Sequence, residues 1–171
     1  MNRPLSFFLL FIATVLFQIF LFDNLSISIY FNPLIYIAFI LLLPLNISRF
    51  WLLMLGLVTG WVMDRVMGSN GLNTLTILPL AFFRPWIVGL FCNKEDAREG
   101  GIPSPERFGK QTFIEYLVTC VLLHHVLFFV LESLSWANFP HTVLRIIISS
   151  AATTGFIWLI TRVFTAKFTS K

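Results

Sequence analysis

The chain has 171 residues, of which 57% are hydrophobic and 12% are charged, and its mean hydropathy is +0.85. A domain of this size folded in water still leaves roughly a third of its unfolded surface exposed, so its 20 Phe and 5 Trp are too many to bury. This composition excludes a soluble domain and indicates a membrane protein. The 12 Lys and Arg behind the net charge of +4 are spread singly, unlike the basic runs that bind nucleic acid.

Six apolar segments follow one another along the chain, each close to the ~20 residues that span a bilayer. They cover residues 5–22, 27–45, 50–66, 72–91, 113–134 and 143–164. The second is the weakest because Pro33 and Pro44 bracket it, so we expect a short helix, a tilted helix, or a non-helical stretch that another helix covers. The sequence therefore predicts an all-α membrane protein with six transmembrane helices in a single domain, residues 1–171.

The positive residues predict the orientation, because Lys and Arg collect on the cytoplasmic side of membrane proteins. With the amino terminus inside, the outer segments hold only Arg65 and Arg145. The inner segments hold Arg3, Arg49, Lys94, Arg98, Arg107, Lys110, Arg162, Lys167 and Lys171. We therefore expect both termini in the cytoplasm and a cytoplasmic loop over residues 92–112. The first segment has no small-x-small cleavage site after it, which favours an uncleaved helix.

Ionisable residues at membrane depth are costly unless they are paired, so each requires a partner. Their depths along the segments suggest three pairs, namely Asp64 with Arg65, Glu132 with Arg145, and Arg84 with Glu115. The pair of Arg84 and Glu115 is expected inside the membrane near its inner face. For all three, a role in locking helices together is favoured over catalysis or transport. Asp64 is also placed to accept N–H groups from the following glycine turn or the amino end of the fourth segment.

Small residues recur at four-residue spacing in two segments, which lets helix backbones approach closely in lipid. In the third segment Gly56 and Gly60 form such a face, for which packing within the chain is favoured. The sixth segment has a run of small residues from Ser149 to Gly155. For this run, packing within the chain and docking of a partner helix are both open.

No pattern typical of catalysis, of a metal site or of a phosphate-binding loop occurs in the sequence. His124 and His125 are adjacent and point about 100° apart on a helix, so both cannot ligate one metal, and a hydrogen-bonded polar pair is favoured. Cys92 and Cys120 lack metal-ligand or disulfide spacing. We expect no enzymatic activity, no cofactor and no metal.

The turn after the third segment reads Gly60-Trp-Val-Met-Asp64-Arg-Val-Met-Gly68-Ser-Asn-Gly71-Leu72-Asn73. It resembles the signature of MreD, the rod shape-determining membrane protein family of bacteria. The shared pattern is a glycine, an aspartate four residues later, and a Gly-rich turn leading through Gly-Leu into a hydrophobic helix. The residues that carry it, as a structural or partner-binding motif, are Gly60, Asp64, Gly68, Gly71 and Leu72. The chain departs from the commoner form at Asn70 and Asn73.

The resemblance implies a multi-pass scaffold in the bacterial inner membrane, folded similarly to the substrate-binding components of vitamin transporters. It implies an MreC-like partner and, directly or indirectly, MreB, RodA and its transpeptidase in the cell-elongation machinery that makes the peptidoglycan cell wall. The alternative is a vitamin-binding subunit of a transporter, with a pocket formed by Trp61, Asp64, Asn70, Asn73 and Trp136. The first segment argues against this alternative, because it has the single alanine Ala13 where those transporters resemble one another in an Ala-xxx-Ala face.

Overall fold

The computed structural model describes residues 3–24, 30–92, 99–133 and 139–169. Every regular element in these residues is helical, as the sequence predicts. The long helices are α1 (Arg3–Asn24), α3 (Arg49–Met67), α4 (Leu72–Phe91), α6 (Lys110–Ser133) and α7 (Phe139–Thr169). Two one-turn helices lie between them, α2 (Ala38–Leu41) and α5 (Pro105–Phe108).

Four of the long helices are long and apolar enough to cross a membrane, namely α3, α4, α6 and the part of α7 from Phe139 to Thr165. In α1 the corresponding apolar stretch is shorter and covers Pro4–Phe20. Helix length and composition thus indicate a multi-pass membrane protein.

The predicted second span differs from a membrane-spanning helix. Among its described residues, only a 3₁₀ turn at Ile35–Ile37 and the four residues of α2 are helical. Pro33 and Pro44 lie at either side of this short helical piece, where proline removes a backbone donor and disfavours helix in the residue before it. Residues 34–43 are all buried. Of the three expected forms, the structure shows the mainly non-helical stretch that other helices cover. We call residues 30–45 the interrupted segment.

Helices α3 and α4 form a closely packed antiparallel hairpin. α3 ends at Gly68, whose φ of 64° is the left-handed conformation that terminates many helices, and Gly71 precedes α4 with a φ of 94°. A Cβ atom on Gly60 would lie 2.5 Å from the Cα of Thr74. The small-residue face of the third segment therefore packs within the chain, as the sequence favours.

The small residues of α7 divide between two faces. Ser149 and Thr153 are buried and point to the interrupted segment, whereas Ala151 and Gly155 are exposed. No atom lies within 4 Å of a Cβ built on Gly155. One face of this run therefore packs within the chain, and the other is open.

Candidate functional site

The Asp64 carboxylate, at the end of α3, joins the two helices of the hairpin. Its Oδ1 accepts the backbone N–H of Asn73 at 2.8 Å and the hydroxyl of Ser69 at 2.7 Å. Its Oδ2 accepts the backbone N–H of Thr74 at 3.0 Å and the hydroxyl of the same residue at 2.5 Å. The first N–H groups of a helix lack partners within the helix and form the positive end of its dipole. Asp64 therefore caps α4, which confirms the predicted role of its side chain.

The other residues of the motif shape the turn around this carboxylate. Gly68, Asn70 and Gly71 all have left-handed conformations in this turn, and Leu72 is the first residue of α4. The expected pairing of Asp64 with Arg65 is not formed, because the Arg65 guanidinium lies over the ring of Trp61, 5.6 Å from its centroid.

A chain of hydrogen bonds continues from the hairpin into the buried interior. Asn73 donates from Nδ2 to the Ser69 hydroxyl at 2.5 Å, and its Oδ1 accepts the hydroxyl of Tyr36 at 2.9 Å. Since that hydroxyl proton is used, the contact of 3.0 Å between Tyr36 Oη and His124 Nε2 requires Nε2 to be the donor. The Thr76 hydroxyl, 3.2 Å from the same nitrogen, accepts as well. The polar path therefore runs from α3 through α4 and the interrupted segment to α6.

His125 connects α6 to the interrupted segment by a second route. Its Nδ1 donates to the carbonyl of Val121 at 3.0 Å, so its Nε2 accepts the hydroxyl of Thr153 at 3.1 Å. The Thr153 oxygen in turn accepts the backbone N–H of Leu34 at 3.1 Å. The two histidines thus face different partners, consistent with a hydrogen-bonded polar pair.

Polar side chains from α1 and α7 satisfy the backbone at the start of the interrupted segment. Gln18 donates to the carbonyl of Pro33 at 3.1 Å and accepts the N–H of Ile35 at 2.6 Å. Ser149 accepts the N–H of Asn32 at 3.0 Å and donates to the carbonyl of Tyr30 at 3.1 Å. Non-helical backbone at membrane depth is tolerated only where its polar groups find partners, and these side chains provide them.

The predicted pair of Arg84 and Glu115 is wrong. Arg84 is 1% exposed, and its Nη2 donates to the carbonyls of Leu41, at 3.3 Å, and Leu43. Its Nε donates to the hydroxyl of Tyr116 at 3.2 Å. The carbonyls at the end of a helix have no intrahelical partners and form its negative end, which favours a cation. Arg84 therefore binds the end of α2 rather than a carboxylate.

Glu115 lies on the other side of α6. Its side chain is exposed and accepts a hydrogen bond from Nε2 of Gln111 at 3.0 Å, one turn earlier. Adjacent residues on a helix point about 100° apart, and it is Tyr116 that faces Arg84. The predicted depth therefore identified the turn of α6 that Arg84 contacts. It did not identify which face of α6 points to Arg84.

The third expected pair is confirmed. Arg145 Nη1 lies 2.7 Å from Glu132 Oε2, and the Arg145 guanidinium also covers the ring of Phe129, 4.7 Å from its centroid. This contact joins the carboxyl end of α6 to the amino end of α7.

A cavity of about 540 Å³ opens beside the hairpin, and Trp61, Asp64 and Asn70 are among its lining residues. These are three of the five residues expected in a vitamin pocket. Asn73 is instead fully buried in the polar path, and Trp136 lies outside the described residues.

Several buried polar side chains of these hydrogen-bond networks were not identified from the sequence, above all Gln18, Tyr36 and Thr76. Thr153 was noted only as part of a run of small residues. Each is a hydrogen-bonding side chain inside an apolar segment, and this is the signal that could have identified them. Among the described residues, no three His, Cys, Asp or Glu side chains lie close enough to hold a metal ion. No protein-family model, curated protein or solved structure matches this chain.

Proposed function

We propose that this chain is a non-enzymatic scaffold subunit of the bacterial cell-elongation machinery, similar to MreD, that binds an MreC-like membrane protein. In this role it helps to couple the MreB cytoskeleton to peptidoglycan synthesis by RodA and its transpeptidase. The chain crosses the inner membrane with both termini in the cytoplasm. Its six-segment plan is similar to that of the substrate-binding components of vitamin transporters, with the interrupted segment as the second of the six.

The use of the interior polar side chains supports this proposal most. Gln18, Arg84 and Thr153 all bind backbone atoms of the interrupted segment, and Asp64 binds the backbone of α4. An unsatisfied N–H or C=O group in hydrocarbon is costly, so these bonds stabilise the irregular backbone. The interior polar side chains are thus used to bind backbone groups of the fold. This use favours a protein that works by binding partners at its surface.

The surface of the long helices is apolar and suits contacts within the bilayer. Exposed apolar side chains include Phe50 and Trp51 on α3, Phe82 and Trp86 on α4, and Leu159 on α7. Helices associate in lipid mainly through close packing and interhelical hydrogen bonds. A scaffold in the membrane requires no more than faces of this kind.

Co-purification tests the proposal directly. The tagged chain, expressed with an MreC-like protein from the same cells and extracted in mild detergent, is expected to retain that protein through size-exclusion chromatography. Depletion of the chain is expected to turn rod-shaped cells round. A folded, monodisperse chain that retains no MreC-like protein, in cells that keep their shape without it, would refute the scaffold.

The alternative, a vitamin-binding subunit, rests on the outer cavity beside Trp61 and Asp64. Its volume of about 540 Å³ lies in the range of small-molecule sites. Against it, the Asp64 carboxylate makes four hydrogen bonds, and all four are to residues of the hairpin. A vitamin released on denaturing the purified chain, and identified by mass spectrometry, would establish this alternative instead.

A further inference from the structure

Charged side chains bound the apolar surface of three long helices at both ends. The bounding pairs, all at least partly exposed, are Arg49 with Arg65 on α3, Glu115 with Glu132 on α6, and Arg145 with Arg162 on α7. Between the two members of each pair, the sequence has no charged residue except Asp64, which caps α4. The pair on α3 is 16 residues apart, and those on α6 and α7 are 17 residues apart. At the helical rise these separations are ~24 Å and ~26 Å.

The charged ends of α6 and α7 lie at the same levels. Arg145 Nη1 lies 2.7 Å from Glu132 Oε2, which holds the carboxyl end of α6 beside the amino end of α7. The two helices pack along each other, so they run antiparallel from this contact. Because 17 residues separate the charges on each helix, Glu115 and Arg162 come to one level at the opposite side. We call the apolar surface of α3, α6 and α7 between their charged pairs the apolar belt.

Two of the bounding arginines turn toward the middle of the belt. The Arg65 guanidinium lies over the ring of Trp61, 5.6 Å from its centroid, and that of Arg162 lies over the ring of Trp158, 3.9 Å from its centroid. Each tryptophan is four residues nearer the middle of its helix, or ~5 Å along the axis. An arginine that reaches outward to the headgroups of a thick bilayer points the other way. The belt between these guanidinium groups is therefore shorter than the residue spacing alone indicates.

Tryptophans on the lipid-facing side of α3 indicate the same short span. Trp51 is 60% exposed and Trp61 is 57% exposed, and each lies close to one of the arginines that bound α3. Tryptophan collects at both interfaces between a membrane and water. These two are ten residues apart, which corresponds to only ~15 Å.

The belt is shorter than the hydrocarbon core of a typical bilayer, which is about 30 Å thick. The difference is ~4–6 Å for untilted helices. Any tilt of a helix reduces its extent along the membrane normal, so the separation of ~26 Å is an upper bound. A bilayer adapts to a short apolar surface mainly by thinning around it, unless the flanking side chains reach outward or the protein associates.

We propose that this chain thins the bilayer around it and gathers phospholipids with short acyl chains at the apolar belt. The belt is the interaction surface, and the first shell of lipid is its partner. The proposal requires that the chain spans a membrane. It does not rest on the scaffold function, so either can fail alone.

Thermal unfolding of the chain in lipid nanodiscs tests the match of thickness. Dimyristoleoyl, dioleoyl and dierucoyl phosphatidylcholine provide monounsaturated bilayers of increasing thickness with the same headgroup. The melting temperature is expected to be highest in the dimyristoleoyl lipid and to fall with each increase in chain length. A highest melting temperature in the dioleoyl or dierucoyl lipid would overturn the proposal.

The lipid shell itself can be measured by fluorescence, because Trp51, Trp61 and Trp86 are exposed on α3 and α4. Brominated phospholipids quench tryptophans that they contact. In vesicles that mix dimyristoleoyl and dierucoyl lipids, with one or the other brominated, we expect the short-chain lipid to be enriched around the chain roughly twofold or more. Quenching in proportion to the bulk mixture would overturn the proposal. This measurement uses the unchanged protein, so it holds even where a variant fails to fold.

A pair of double variants connects the effect to the charges that bound the belt. Arg65→Leu with Arg162→Leu lengthens the belt on α3 and α7, and is expected to move the highest melting temperature to the dioleoyl lipid. The matched control, Arg65→Lys with Arg162→Lys, keeps both charges and is expected to retain the dimyristoleoyl optimum. An unchanged optimum in the leucine variant, or the same shift in both variants, would show that these arginines do not set the thickness and would overturn the proposal.

Discussion

Gly60 is the glycine at which one added methyl group should destabilise the fold most. A Cβ atom there would lie 2.5 Å from the Cα of Thr74 and 2.9 Å from Cγ2 of Ile77, whereas ordinary contacts begin at 3.4 Å. Because the nearer atom is backbone, α4 must withdraw by about 1 Å, a gap that forfeits up to about half of the dispersion attraction across the contact. The same shift would stretch the bond of 3.0 Å between Thr74 N and Asp64 beyond hydrogen-bonding distance.

The magnitude for Gly60→Ala follows from three terms. Overpacking a close contact costs about 1–3 kcal/mol, and weakening a hydrogen bond to a charged group costs about 1.5–3 kcal/mol. Replacing glycine by alanine within a helix returns about 1 kcal/mol. We therefore expect Gly60→Ala to destabilise the chain by about 1.5–5 kcal/mol, taking these terms together.

A series of glycines in the same chain provides the controls. A Cβ on Gly155 meets no neighbouring atom within 4 Å, whereas one on Gly56 lies 3.1 Å from the Cβ of Ala81, a tight contact but a longer one than that at Gly60. Thermal unfolding in one detergent should rank Gly155→Ala at or above the wild type, Gly56→Ala below it and Gly60→Ala lowest. If Gly60→Ala unfolds at the same temperature as Gly155→Ala, the close packing of α3 on α4 is refuted.

Three further predictions follow from the polar contacts and the orientation. Asp64→Ala removes the cap of α4 and should lower stability by about 1–3 kcal/mol, measured as lower folded yield and melting temperature; unchanged values for both would contradict the cap. Arg84→Gln should lower the stability of the fold by about 1.5–3 kcal/mol, whereas Glu115→Gln should change it by no more than about 0.5 kcal/mol. The two effects should add in a thermal unfolding assay of the double variant. Strong coupling between the two changes would mean that Arg84 and Glu115 do form a pair. In a cysteine-free background, Pro140→Cys should react with a membrane-impermeant thiol reagent in cells with an opened outer barrier, and Glu106→Cys only after the inner membrane is permeabilised; the reverse pattern would invert the orientation.

The helical architecture could be predicted from sequence because long apolar runs leave the backbone few alternatives in lipid. Runs without internal breaks, such as residues 113–134, correspond to long helices in the structure. The segment at 27–45 has a similar apolar composition, but Pro33 and Pro44 bracket its central part. Composition alone does not show whether such a segment forms a short helix, a tilted helix or a non-helical stretch. The outcome depends on whether other helices supply partners for its backbone, and Gln18 and Ser149 do so from positions 15 and 117 residues away from the groups they bind.

The same physical reason explains why the site was only partly predictable. Asp64 could be assigned because its partners follow within ten residues, and a turn of known type brings them back to it. The partners of Arg84 could not be assigned from the sequence. Its guanidinium donates to carbonyl groups at the end of α2, and these carbonyls are free to accept only because the helix stops there. The sequence shows where carboxylates are, so Arg84 was assigned a carboxylate partner. The sequence does not show where a helix breaks and exposes the carbonyl groups of its negative end. The interruption at residues 30–45 and the buried Arg84 therefore account for each other. The break supplies the acceptors, and the guanidinium makes the break tolerable in the membrane.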